Sequence, residues 1–268
     1  MRAGVRWTGL SPRRRALLAG LVLVVAVLAV VAGLRLSRGQ PQPAAGRPGA
    51  VLLVPGYGGG TTSLDELAAR IRSTGRTATV VQLAGNGKGD LTEQARVLAG
   101  YVNRAIGAGS GPVTVIGYSA GGVVAWLWDV DYGGAGRAGM IITLGSPLHG
   151  ARIAAVGTGF DPAECPVACQ QLVPGSALLT GLQRSAQPRP PWLSLWSTDD
   201  QTVQPPDSAR LSGAANVPLQ SVCPGADIQH DQLPTAPLVV GIVLRTLAGG
   251  HASAPARGDC AGLQALGR

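Results

Sequence analysis

The sequence predicts an α/β fold: a mainly parallel, doubly wound sheet of about six strands with helices on both faces. Three observations predict it. Between residues 50 and 248, short apolar runs alternate with stretches whose apolar residues recur at helical spacing. The apolar runs are continuous, as in strands buried on both faces. The connections between the two kinds of segment are short.

The elements follow in order. "AVLLVPG" (50–56) is the first strand. A helix runs from Thr61 to Thr74, with Leu64, Leu67, Ala68 and Ile71 on one side and Gly75 ending it. Thr77 to Leu83 is the second strand. Asp90 caps a longer helix, with Glu93 three residues on, and its inner face is Leu91, Ala95, Leu98, Val102 and Ala105. "PVTVIGY" (112–118) is the third strand, and Gly121 to Trp128 is the helix behind it. "GMIITLGSP" (139–147) and "WLSLWST" (192–198) are the fourth and fifth strands. "NVPLQSV" (216–222) is the sixth, where Pro218 points to an edge or a bulge. Leu238 to Leu247 closes the domain as a helix.

Two segments fall outside this alternation. Residues 148–190 carry no clear strand and include one helix, Ser176 to Gln183, so they are the candidate cap over a site. Their Leu172, Val173, Leu178, Leu179 and Leu182 fit either a helix packed on the core or a lipid-facing surface. Residues 249–268 are Gly/Ala-rich and read as a poorly ordered tail, apart from Cys260.

The net charge of +8 is unevenly distributed. Residues 1–38 hold seven arginines and no acid, leaving 15 basic and 14 acidic residues in the remainder. A nearly neutral domain has no general attraction for phosphate, so nucleic acid is not an expected partner. The arginines belong to a different device. Arg13, Arg14 and Arg15 precede the uncharged run from Ala16 to Leu34, which is long enough to span a hydrocarbon core. Positive charge before such a run predicts a cytoplasmic N-terminus and an exported body. Residues 1–36 are therefore expected to be a signal-anchor that ties the protein to a membrane, with cleavage after Ala32 as the secreted alternative. Residues 37–49 form a Pro/Gly linker, 50–248 the domain and 249–268 the tail.

The four cysteines agree with export: an even number outside the reducing cytosol predicts two disulfides, with three possible connectivities. The expected pairs are Cys165–Cys169 and Cys223–Cys260, the second stapling the tail to the loop before His230. Free buried thiols are the alternative. "CPVAC" has no second Cys or His cluster near it, so no metal is expected.

One serine stands out. "VIGYSAGG" (115–122) places Ser119 between Gly117 and Gly121. In a chain with 40 glycines the Gly-x-Ser-x-Gly spacing alone is weak, with about 0.3 matches expected by chance. Its position is informative, because the serine closes a buried strand and opens a helix. A nucleophile on so tight a turn is lifted to the carboxyl edge of the sheet, and bulky neighbours two residues away would collide with the packed elements. The amide of Ala120 then lies at a helix N-terminus, aimed at a developing oxyanion. A second donor is expected from the glycine-rich loop "LVPGYGGG" (53–60), at the amide of Tyr57. No Lys-Ser/Thr follows those glycines, which argues against a nucleotide loop.

With these motifs the chain resembles the α/β-hydrolase family, specifically its small bacterial lipases and esterases, over roughly residues 50–247. The resemblance rests on "LVPGYGGG", "VIGYSAGG", "TLGSPLHG", "STDDQTVQP" and a late histidine. Many members carry His-Gly where this chain has Pro55-Gly56. The family order of serine, acid, histidine implies Asp200, before "xxVxP", as the acid and His230 as the base. Asp199 is then a neighbour or loop cap, and Asp227 and Asp231 are rivals flanking the histidine. His149 lies after the fourth strand and is the weaker candidate base, while His251 sits in the tail.

The implied activity is carboxylic-ester hydrolysis through a Ser119–Asp200–His230 triad and an acyl-enzyme, on an ester or lipid substrate, with no cofactor and with a monomer expected. An acyltransferase using the same triad, or a non-catalytic hydrolase-like binding module, are the alternatives.

Overall fold

The computed structural model describes residues 49–155, 165–185 and 190–268, and the isolated positions 13 and 20. The expected membrane-spanning run and linker thus lie almost wholly outside the described residues. Among the described residues, no helix is long and apolar enough to cross a membrane.

Six strands form one sheet: β1 (Val51–Val54), β2 (Ala78–Val80), β3 (Val113–Tyr118), β4 (Ala138–Leu144), β5 (Trp192–Trp196) and β6 (Ala215–Pro218). Their order is β2-β1-β3-β4-β5-β6, and every neighbouring pair is parallel. Parallel neighbours need crossovers, and helices supply them. α1 (Thr62–Ser73), α2 (Leu91–Gly107), α3 (Ala120–Asp131), α4 (Val167–Gln171) and α5 (Ala177–Arg184) lie between consecutive strands from β1 to β5, and α6 (Leu219–Val222), α7 (Pro237–Gly249) and α8 (Cys260–Leu266) follow β6.

The continuous apolar runs are explained by this layering. Successive strand residues point to opposite faces, and both faces are covered. Val51 and Leu53 join α1 and α7 in one core cluster, whereas Leu52 and Val54 join α2 and α3 in the other. The helical stripes read from sequence are the buried ones: Leu64, Leu67, Ala68 and Ile71 in α1, and Leu91, Ala95, Leu98 and Val102 in α2. Burying one such leucine stabilises the fold by roughly 1.5–3 kcal/mol.

Three local readings are corrected. β2 is three residues long rather than seven, because the sheet edge has no outer neighbour to extend it. The sixth strand stops at Pro218, which ends the edge strand and begins the single helical turn of α6. Residues 249–268 are not a loose tail: α8 packs on α7, with Leu263 buried and Arg245 paired to Asp259 at 2.9 Å. Gly241 permits this, since a Cβ there would run into the Leu263 carbonyl. The two disulfides are Cys165–Cys169 and Cys223–Cys260, and the second fixes α8 to the end of α6.

Candidate active site

The strand order reverses between β1 and β3, and such a switch point opens a crevice outside the carboxyl ends of the strands. The turn from β3 to α3 is one residue, Ser119, with φ 53° and ψ −128°. Positive φ in a residue with a side chain costs roughly 1–3 kcal/mol and persists only where packing over-determines it. Here the Ser119 amide donates to the Leu144 carbonyl at 2.9 Å, and the Ser119 carbonyl accepts from Gly122 at 3.0 Å. Glycines let the backbones come this close. A Cβ on Gly117 would lie 2.5 Å from the Cα of Gly122, and one on Gly121 would overlap the Val54 carbonyl.

Two further side chains join Ser119, one from just past a strand and one from a loop. Asp200 lies just past β5 with its side chain buried. Its Oδ1 accepts from the amides of Thr202 and Val203, each at 2.8 Å, which fixes the carboxylate plane. Its Oδ2 lies 2.6 Å from Nδ1 of His230. His230 opens a single 3₁₀ turn, His230–Gln232, in the loop between α6 and α7. Its Nε2 lies 2.9 Å from Ser119 Oγ. A carboxylate only accepts, so Nδ1–H donates to Asp200 and Nε2 is left to accept from the serine hydroxyl.

Asp199, Asp227, His149 and His251 are engaged elsewhere, and Asp231 is exposed. Asp199 Oδ2 accepts from Gln220 at 3.0 Å, and Asp227 accepts from Gln229 at 3.1 Å. His149 is exposed and its Nδ1 donates to the Ser208 carbonyl at 3.1 Å, bracing a turn. His251 bonds the Gly249 carbonyl at 2.7 Å. Among the described residues, no group of three or more His, Cys, Asp or Glu side chains is placed to hold a metal ion.

Ala120 is the first residue of α3, so its amide belongs to a helix N-terminus. Tyr57 lies in the turn after β1 and, with Ser119, lines an apolar cleft of about 230 Å³. Ala151, Ala154, Leu172 and Val203 line the same cleft. The short helix α4, absent from the sequence reading, supplies Cys169 to that lining. Gln171 docks this helix on α2: its Oε1 accepts from the Leu91 amide at 2.8 Å, and its Nε2 donates to Asp90 Oδ1 at 3.1 Å. The Gln171 amide holds the Asp90 carboxyl below its ordinary range, helped by the Thr92 and Glu93 amides and opposed by desolvation. Of the two readings of these residues the structure shows core packing: Leu172, Leu179 and Leu182 are buried, and Val173 and Leu178 pack against the core. The exposed apolar residues nearby are Tyr57, Ile153 and Val167.

Sequence reading missed two glycines beside these groups. A Cβ on Gly56 would lie 2.8 Å from that of Ser119, so the β1 loop is pressed against the serine. Gly145, with φ 56°, sits beneath the Asp200–His230 pair. Its place at the carboxyl end of β4 was the available signal.

No protein-family model and no curated protein sequence matches the chain. Solved structures do. Aspergillus fumigatus lipase B superposes with a TM-score of 0.70 at 20% identity, over 84% of this chain and 57% of that one. The chain thus spans a little over half the length of that lipase. A structure from the metagenome-derived lipolytic enzymes LipS and LipT gives 0.60 at 16% identity, over 78% and 97% of the two chains. Bacillus licheniformis lipase BlEst2 in its mature form gives 0.55 at 17%, over 67% and 86%. The parallel six-stranded sheet, the strained turn after β3 and these likenesses together identify the fold of this chain as that of the α/β-hydrolases.

Proposed function

We propose that the protein is a serine carboxylic-ester hydrolase, a lipase or esterase. The observation that carries this reading is the hydrogen-bonded series from Ser119 through His230 to Asp200 at the mouth of an apolar cleft. The three similar structures named above are lipases or lipolytic enzymes, which supports the ester class.

In this reading Ser119 Oγ attacks the ester carbonyl carbon as its proton passes to His230 Nε2. Asp200 holds Nδ1–H and stabilises the imidazolium that forms. The amides of Ala120 and Tyr57 donate to the tetrahedral oxyanion, each worth about 3 kcal/mol at the transition state. The carbonyl reforms, the carbon–alkoxy bond breaks, and the leaving alcohol takes the proton from Nε2. Water then attacks the acyl-enzyme by the same path, giving the carboxylic acid and restoring Ser119. The cleft walls at Ala151, Ala154 and Leu172 receive the apolar part of the substrate. The disulfides support a body outside the reducing cytosol. The Ala16–Leu34 run tethers that body to a membrane.

The test is turnover of p-nitrophenyl esters of graded acyl length, with and without an acceptor alcohol. Hydrolysis to free acid that vanishes in Ser119→Ala is the expected result. Transfer to the alcohol in place of hydrolysis makes the protein an acyltransferase, and no turnover of any ester overturns the enzymatic reading.

A further inference from the structure

The residue before Ser119 touches the histidine that Ser119 must use. Tyr118 ends β3, and its hydroxyl donates to the main-chain carbonyl of His230 at 3.2 Å. Its ring lies against the imidazole, with centroids 5.2 Å apart and planes tilted by 32°. That separation is within the range of favourable aromatic pairs.

The need for such a contact follows from what the other bonds leave free. Asp200 and Ser119 grip the imidazole at its two nitrogens. Two points define an axis, and the ring can still tilt about it. The histidine's backbone is carried by one 3₁₀ turn in a loop, closed by the Leu233 amide on the His230 carbonyl at 3.2 Å and by the Gln229–Gln232 bond at 2.8 Å. Both ties are internal to the loop. Tyr118 adds one from the sheet.

We propose that Tyr118 is a positioning residue for His230, its hydroxyl fixing the histidine's main chain and its ring fixing the imidazole plane. This rests on the triad reading above. Nucleophile and base thereby share one rigid reference, because Tyr118 and Ser119 are adjacent at the end of β3. The aromatic face also attracts the imidazolium formed during acyl transfer, more strongly than the neutral ring. The hydroxyl donates only while protonated. Burial pushes its ionisation upward, and the negative charges of Asp200 and Asp231 push it further, so the donor persists through neutral and mildly alkaline pH.

Three variants separate the two roles from the triad itself: Tyr118→Phe, Tyr118→Leu and Ser119→Ala, with kcat and KM on p-nitrophenyl butyrate and a melting curve for each. Phe keeps the ring and loses the donor, and kcat is expected to fall about 3- to 10-fold. Leu loses both, and kcat is expected to fall about 30- to 100-fold. KM stays within about two-fold in both, as for a loss confined to the transition state. A purely structural tyrosine would instead lower the melting temperature and leave kcat per folded enzyme unchanged. Wild-type kcat in the folded Phe and Leu variants, with Ser119→Ala dead, overturns the positioning role alone. Undiminished activity in Ser119→Ala overturns the triad reading and this proposal with it. If Tyr118→Leu does not fold, the Phe variant decides.

Discussion

A Cβ built on Gly145 would lie 3.2 Å from Nδ1 of His230 and 3.2 Å from Oδ2 of Asp200, directly beneath the bond between them. Gly145 also has φ 56°, a conformation that side chains resist. Gly145→Ala would therefore press Leu233, which the new methyl overlaps, and tilt the His–Asp pair. The expected outcome is a fall in kcat of about 10- to 100-fold with a modest loss of stability, because small misplacements at a reacting centre are costly. Steady-state kinetics beside a melting curve check it.

The two adjacent aspartates should behave very differently. Asp200→Asn keeps the side-chain shape but removes the carboxylate that selects the histidine tautomer. A loss of roughly 10³- to 10⁴-fold in kcat is expected. Asp199→Asn leaves His230 untouched and weakens only the tie to Gln220. Its kcat is expected within about three-fold of wild type, since the effect of one partly exposed hydrogen bond is small. Comparing kcat of the two variants under one condition is sufficient.

The helix α4, whose Cys169 lines the cleft, is expected to carry a pH dependence of its own. Asp90 has a folded-state carboxyl held below its ordinary range, chiefly by Gln171. A depressed carboxyl stabilises the folded arrangement above its unfolded value of about 3.9, and that contribution is lost as the pH falls through the folded value. The protection of the 167–171 amides, taken as exchange relative to the unfolded-chain rate at each pH, should therefore fall below about pH 4 in the wild type. Asp90→Asn keeps a good N-cap for α2 but cannot titrate, so protection in its α4 should show no such acid step.

The Cys223–Cys260 bond closes a 37-residue separation and pins α8. Replacing both by serine is expected to cost about 3–4 kcal/mol on the chain-entropy model. Thermal unfolding should then shift down by roughly 5–10 °C. The Cys165–Cys169 pair, only four residues apart, should cost less when replaced in the same way. Melting curves of the two double variants rank them.

Much of this was legible in the sequence, for identifiable reasons. Strand–helix alternation marks a parallel sheet because each face needs a cover, and the six strands were found in order. Ser119 and Asp200 stand out because each directly follows a strand, and His230 because the family order that the chain resembles puts the base last. What stayed hidden depends on contacts between distant residues, which leave no period behind. The contact of Tyr118 with His230, 112 residues on, has no counterpart in the local sequence. Gly145 was one of 40 glycines, and only the neighbouring Asp200–His230 pair gives it a purpose. The tail misled because its Gly/Ala composition reads as loose chain, while a disulfide and a glycine on α7 seat it firmly.

The most direct measurement is covalent capture with a fluorophosphonate, followed by mass spectrometry of the labelled peptide. A nucleophile activated by His230 should take one label per chain at Ser119, with ester hydrolysis lost in parallel and no label in Ser119→Ala. Folded protein that stays unlabelled, or that hydrolyses esters unchanged once labelled elsewhere, would contradict the account.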